Sequence, residues 1–346
     1  MHVNFCNQEN ETMSVTYAES FKKYVNAGKF DAWLNDGPIL IISQATLYER
    51  CYDLLMKRVK NIDKIQWYIL PNLPLGESFS LFSKTLMFIE QMKLPRGTKL
   101  LSLGNETINQ IGSFIHGVSP YIAEQFHIAS DLSGFLSAIS GYATLTGPNL
   151  ETLSERKALP NGLFYDTMLS GSETLFETRL SLFRMVQIGL QYDVSILNRL
   201  YEETDKRTEH YVAFSQDLLE LAQKQSLDFE YGKTFTQALF VTEGSYALNY
   251  EQKRWLGLLL TMCCQNEQVH YHADFKIIKH WLEYQLGESL SLPKFLLTSD
   301  LVEQVALILG REQKWFGLSQ MGSRTTQAIP TLLEIEHGIE SFRSIE

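Results

Sequence analysis

Phe229-Glu-Tyr-Gly-Lys-Thr-Phe-Thr-Gln-Ala-Leu239 carries the frame Gly-x-Thr-Phe-x-x-Ala at the start of a helix. A metal-binding version of that frame is a loop-to-helix entry that carries two histidines. Here Lys233 and Gln237 stand at those two places. A lysine ammonium has donors and no lone pair, so in that state Lys233 cannot ligate a cation. The stretch predicts a scaffold with the shape of a catalytic site and without its metal ligands.

Working outward, the C-terminal half reads as helix after helix, expected over 174–192, 194–203, 208–224, 233–240, 250–265, 274–285 and 298–309. The N-terminal half differs. Pro38-Ile-Leu-Ile-Ile-Ser43, Ile65-Gln-Trp-Tyr-Ile-Leu70 and Lys99-Leu-Leu-Ser-Leu103 are short apolar runs typical of buried parallel strands. Pro120-Tyr-Ile-Ala123 reads as a fourth strand, and residues 1–30 as a polar arm leading into a short helix. Helical segments separate the strands at Leu47–Val59, Ser80–Met92 and Ile108–Ile115. Strand alternating with helix predicts an open parallel α/β sheet. The expected organisation is a Rossmann-like α/β domain over 1–170 and an all-helical domain over 171–346.

The chain has 346 residues, of which 45% are hydrophobic, enough for two domains with sizeable cores. A net charge of -10 argues against a nucleic-acid surface, which needs clustered positive charge. No apolar run reaches the roughly 18 residues of a membrane span. The polar, acidic N-terminus lacks the pattern of a signal peptide. Cys6, Cys51, Cys263 and Cys264 show no framework spacing and read as reduced thiols. A cytoplasmic protein is expected.

Weaker anchors lie in order along the chain. Pro74-Leu-Gly-Glu77 is a turn before a long helix, and Gly104-Asn-Glu-Thr-Ile-Asn-Gln110 follows a strand as a glycine-rich phosphate loop does. Ser137-Ala-Ile-Ser-Gly-Tyr142 precedes Pro160 and the strand ending at Asp166. Phe183-Arg-Met-Val-Gln-Ile-Gly-Leu-Gln-Tyr-Asp193 opens the helical half, and Leu248-Asn-Tyr-Glu-Gln-Lys253 precedes a long apolar helix.

Together with the opening frame, these anchors resemble the dehydroquinate synthase-like family of sugar phosphate cyclases over about residues 38–322. The resemblance implies the dehydroquinate synthase-like fold, NAD and a divalent metal, usually zinc. The metal would act as a Lewis acid held by Glu, His and His. It also implies which residues stand at the site positions here. Arg184 occupies a metal-ligand glutamate, Lys233 a ligand histidine, and Asn249 or Tyr250 the third ligand. Gln187 and Tyr142 replace lysines, Gln237 replaces a second histidine, and Lys314 falls in a basic segment after Arg311. In the nucleotide loop Gly104 is kept, Asn105 and Glu106 replace glycines, and Gln110 replaces an aspartate.

A divergent member without metal-ligand and NAD-loop residues is therefore expected to bind neither cofactor. The resemblance points to a catalytically inactive homologue serving as a binding, regulatory or partner subunit in a cyclitol, shikimate-type or secondary-metabolite pathway. It would form a homodimer, or a heterodimer with an active paralogue. One alternative is metal-independent chemistry on an anionic or phosphorylated small molecule, using Lys233, Arg184 and Tyr142 or Tyr250. Another is an active cyclase with relocated ligands, drawn from His270 and His272. Within the first reading, Arg184 and Lys233 either hold an anion in place of the metal or pair with a carboxylate such as Glu230 or Glu77. Asp274 is expected to cap the helix that follows His272, and His116 and His127 to be structural.

Overall fold

Six parallel strands form the centre of the fold, and the apolar runs of β3 and β5 are buried on both faces. A computed structural model describes residues 1–71, 78–166, 169, 175–202, 213–266 and 272–345. The chain divides into two compact units, Met1–Ser181 with Arg207–Leu227, and Leu182–Lys206 with Asp228–Glu346.

The first unit contains β1 (His2–Cys6), β2 (Thr12–Tyr17), α1 (Phe21–Asn26), α2 (Asp31–Asn35), β3 (Ile39–Gln44), α3 (Ala45–Met56), β4 (Ile65–Leu70), α4 (Ser78–Met92), β5 (Thr98–Gly104), α5 (Glu106–Val118), β6 (Ile122–Ala129), α6 (Leu132–Ile139), β7 (Tyr142–Thr146), β8 (Thr152–Lys157) and β9 (Gly162–Tyr165). Seven strands form one sheet in the order β1-β2-β9-β6-β5-β3-β4. All neighbours in it are parallel except β1 and β2. β3 lies between β4 and β5, with Ile39 opposite both Ile65 and Lys99. The strands that follow β3 in the chain thus lie on opposite sides of it. That reversal is the topological switch point where open α/β sheets bind ligands, beyond the carboxyl ends of the strands.

Ile39, Ile41, Leu101, Leu103, Ile128 and Phe164 pack into one core. Leu40, Ile42 and Leu100 point the other way and meet Ile108, Ile111 and Ile115 of α5. Each such side chain contributes roughly 1.5–3 kcal/mol when fully buried, and the two cores hold the carboxyl end of β5 in place.

The first residues are not the expected polar arm. They form the β1–β2 hairpin, in which Phe5, Met13, Val15 and Tyr17 are buried. Asn7 Oδ1 closes its turn by accepting from the Glu9 and Glu11 amides at 3.0 and 2.9 Å. The expected strand at Pro120–Ala123 runs instead over Ile122–Ala129, because buried Gln125 bonds Ser102 and Ser113 and His127 Nδ1 bonds Ser102 O inside the fold. A separate antiparallel hairpin pairs β7 with β8.

The remaining helices are α7 (Leu175–Gln191), α8 (Val194–Glu202), α9 (Ser215–Lys224), α10 (Lys233–Val241), α11 (Tyr250–Asn266), α12 (His272–Leu286), α13 (Thr298–Glu312) and α14 (Leu332–Ser344). Of these, α9 falls in the first unit's residues. The second unit is helical, as expected, but also carries the hairpin of β10 (Trp315–Gln320) and β11 (Ser323–Gln327). Its side chain-to-backbone bond from Gln265 Nε2 to Phe316 O, 3.0 Å, fastens that hairpin to α11.

Candidate functional site

The frame around Gly232 is a packing device. Gly232 has φ +87°, and an added Cβ would lie 2.9 Å from Leu258 Cα on α11. Only glycine meets both demands without strain. Across the contact, a side chain on Gly257 would run into Thr236. Thr236 Oγ1 donates to Gly232 O at 2.8 Å, Phe235 is buried edge-on to Trp315, and Ala238 is buried. Gly232 and Thr236 thus serve the α10–α11 crossing, and Phe235 fastens α10 to β10.

The polar residues of the frame bond locally. Lys233 Nζ bonds both carboxylate oxygens of Glu230, at 2.7 and 2.8 Å. Burial pushes the nearby Glu312 carboxyl up, Lys233 pulls it down, Glu230 raises it, and Arg311 and Lys314 lower it. Lys314 itself is exposed, and Gln237 is buried in α10.

On α7, Arg184 donates to Gln187 Oε1 at 3.1 Å and lies over the Phe229 ring, 4.2 Å from its centre. Gln187 Nε2 in turn donates to Tyr231 O at 2.8 Å and Phe229 O at 3.3 Å. Tyr192 adds a second tie, accepting from the Asp228 amide at 2.9 Å. Burial and the Asp228 charge push its phenol up. Arg324 of β11 completes the clasp with an ion pair to Asp228. The loop that enters α10 is therefore held from α7 and from β11.

At the third position, Asn249 Oδ1 accepts from the Gln252 amide at 2.8 Å and Gln252 Oε1 from the Asn249 amide at 3.0 Å. This is a capping box, which satisfies two donors at the start of α11. Tyr250 stands edge-on to Phe240, with ring centres 5.5 Å apart. Arg254 reaches 5.8 Å from the Tyr250 ring and 4.5 Å from the Phe183 ring.

In the first unit, the loop leaving β5 lies beside the switch point. Asn105 caps α5, accepting from the Ile108 amide at 3.4 Å. Glu106 is buried in the first turn, and Gln110 Nε2 donates to its carboxylate at 3.2 Å. The first turn of α6 packs close by: a Cβ on Gly134 would lie 3.2 Å from the Asn105 carbonyl carbon. Asp131 caps that helix, and Asn109 bonds Ser137 at 3.1 Å across the two helices. Tyr142 sits at the start of β7, directly opposite Lys157 of β8. Gly104, Asn105, Glu106 and Gln110 are thus brought together; Tyr142 belongs to the neighbouring hairpin.

Glu77 and His270 lie outside the described residues. His272 is the first residue of α12, and Asp274 is the third. Asp274 therefore does not cap that helix as expected; its carboxylate stands in the first turn, where the helix dipole favours it. Among the described residues, no group of three or more His, Cys, Asp or Glu is placed to hold a metal ion. His127 is fully buried, with Nδ1 2.9 Å from Ser102 O. The sequence reading missed Lys253 and Arg254. A pair of cations directly before the apolar run of a buried helix was the available signal.

This architecture is the dehydroquinate synthase-like fold of the sugar phosphate cyclases. A structure of 2-deoxy-scyllo-inosose synthase complexed with carbaglucose-6-phosphate, NAD+ and Co2+ matches with a TM-score of 0.74 at 13% identity, over 99% of this chain and 100% of that one. ValA, a 2-epi-5-epi-valiolone synthase from Streptomyces hygroscopicus subsp. jinggangensis 5008 with NAD+ and Zn2+ bound, also matches at 0.74 with 12% identity, over 97% and 98% of the two chains. Maleylacetate reductase from Agrobacterium tumefaciens matches at 0.62 with 10% identity, over 100% and 98%. No family model and no curated protein sequence matches the chain. No helix among the described residues is long and apolar enough to cross a membrane.

Proposed function

We propose that this chain is a non-catalytic relative of the sugar phosphate cyclases that works as a binding or partner subunit, as a homodimer or beside an active paralogue. The observation that carries the reading is the fate of the three metal-ligand positions. Arg184, Lys233 and Asn249 are respectively a cation on an aromatic ring, a cation paired with Glu230, and a helix cap. Two permanent cations and an amide do not make a zinc site, which takes thiolate, imidazole or carboxylate donors. Tyr250, the alternative third position, is packed edge-on against Phe240.

The nucleotide loop supports the same reading. A dinucleotide pyrophosphate would rest at the first turn of α5. Glu106 places a carboxylate in that turn, and Gln110 holds it there. The residues present therefore do not fit NAD in the pose that a glycine loop gives, and no catalytic step is assigned through NAD or zinc.

Elemental analysis of protein purified without chelator, with NAD titration by calorimetry and a cyclase assay on phosphorylated sugars, tests the proposal. The expected result is sub-stoichiometric metal, no NAD heat and no turnover. Stoichiometric zinc or cobalt with turnover would overturn it. The metal-independent enzyme reading finds no help at Lys233, whose ammonium Glu230 already neutralises.

A further inference from the structure

β4 ends the seven-stranded sheet on one side, and β1 ends it on the other. An edge strand offers a row of unpaired N–H and C=O groups to any second strand, and folded chains guard it with lysine, proline, a bulge or a covering element. β1 is guarded: α9 packs against it, and Gln8, just beyond it, bonds Lys224 O at the end of α9. β4 carries none of those devices. Its sequence Ile65-Gln-Trp-Tyr-Ile-Leu70 has no charge and no proline, and its ladder with β3 runs from Ile65 to Leu70 without a register shift. Among the described residues, β4 pairs with β3 alone.

The surface around that free edge is apolar on both faces of the sheet. On one face Trp67 meets Tyr48 and Tyr52 of α3, with ring centres 5.0 and 5.8 Å apart. On the other, Tyr68 stacks on Phe88 of α4 at 4.5 Å. Ile69 is 41% exposed, and Ile62, just before the strand, 60%. Such a strand is its own complement. A two-fold axis perpendicular to the sheet pairs β4 antiparallel with a second β4, and directly opposite side chains then share a face. Centred on Trp67, the pairing sets Trp67 beside its counterpart and Ile65 beside Ile69. Centred on Tyr68, it sets Tyr68 beside its counterpart and Trp67 beside Ile69. No like charges meet within the strand pair in either register, and aromatic and β-branched residues are favourable cross-strand neighbours. Six strand residues span about 20 Å, and the flanking rings of α3 and α4 widen the patch toward the roughly 800 Å² per partner of a standard interface.

We propose that the free edge of β4 is a self-association surface: two copies of this chain join β4 to β4 antiparallel and continue the sheet from one first unit into the other. The interface rests on the homodimer reading of the chain and gives that dimer its surface. A strand from a different protein would find the same backbone groups, but the uncharged, self-complementary sequence favours the second copy.

The test uses the full chain in sedimentation velocity, from low to high micromolar concentration. Wild type should sediment as a dimer. Ile69→Lys gives the edge the charge that guarded strands carry; it should weaken the dimer at least tenfold while the far-ultraviolet circular dichroism stays unchanged. Ile277→Lys, at an exposed isoleucine of α12 in the second unit, should leave the dimer intact. Hydrogen exchange of wild type gives a readout free of substitutions, and decides alone should Ile69→Lys fail to fold. Every β4 amide should exchange slowly in the dimer, whereas an open edge leaves its alternate, outward-facing amides to exchange fast. A dimer that survives Ile69→Lys, or one whose outward β4 amides exchange fast, overturns the surface and leaves the homodimer reading standing. A wild type that stays monomeric, as it would if the edge served another protein's strand, overturns both. Metal content and turnover are untouched by either failure, so the non-catalytic reading is tested separately.

Discussion

Replacing Gly232 by alanine tests whether the surviving frame is structural. Gly232 adopts φ +87°, where an L-residue costs roughly 1–2 kcal/mol. Its new Cβ would also meet three backbone atoms of α11: Leu258 Cα at 2.9 Å, Leu258 N at 3.1 Å and Gly257 C at 3.4 Å. Backbone cannot rotate aside, so α10 and α11 must separate, at the roughly 1–3 kcal/mol of an overpacked core. The total is about 2–5 kcal/mol. Gly287→Ala is the matched control in the same unit: φ is +65°, with nothing within 4 Å of the added carbon. It should cost about 1 kcal/mol, because restricting the unfolded chain offsets part of the strain. Urea denaturation followed by tryptophan fluorescence reads both, Trp255 and Trp315 being buried in this unit. Equal losses for the two variants would refute the argument, since the difference between them isolates the helix–helix contact.

Glu230→Gln should destabilise the chain by about 1–3 kcal/mol by leaving the Lys233 ammonium, whose side chain is 16% exposed, without its counter-charge; a double-mutant cycle with Lys233→Met should recover most of the loss, and additive effects would refute the pairing. Burial pushes His127 down to about 3, against 6.5 in the unfolded chain. Between those values the unfolded chain takes up a proton that the fold excludes, so His127 makes stability fall as pH drops, by up to about 1.4 kcal/mol per unit; the stability difference between wild type and His127→Gln should therefore shrink from pH 7 to pH 5, and a constant difference contradicts this. Burial pushes the Cys51 and Cys263 thiols up to about 12, so an aromatic disulfide reagent at pH 8 should label native protein at half-buried Cys6 and reach both only after denaturation.

The parts of the fold readable in advance were those where pattern and burial coincide. β3 and β5 are short apolar runs buried on both faces, β4 is an apolar run at the sheet edge, and helices α10, α11 and α13 follow apolar periodicity. The β1–β2 hairpin was missed although Met13, Val15 and Tyr17 alternate, because the acidic turn at Asn7–Glu11 dominated the reading. β6 was cut short because Gln125 and His127 look like loop residues until Ser102 and Ser113 are seen to answer them. At the candidate site, the pairing of Lys233 with Glu230 was one of the alternatives the sequence left open, and only three-dimensional distance chose it. Lys253 and Arg254 carry in the sequence only the signal of two cations ahead of an apolar run; that Lys253 lies by the Phe240 ring shows only in three dimensions.

The candidate site positions share one geometry. Glu106 bonds Gln110, Arg184 bonds Gln187, Lys233 bonds Glu230, and Asn249 bonds Gln252. Every partner is three or four residues away, the spacing at which neighbours meet on one helical face or across its first turn. A catalytic metal site works the other way: its ligands leave their own elements and converge on an ion from several directions. Side chains that answer one another within a turn do not converge on one point, and substitutions of this kind can accumulate one element at a time without disturbing the packing at Gly232 and Gly257. Lys253 is the exception. Its amine finds no such partner one turn away and rests against the Phe240 ring instead.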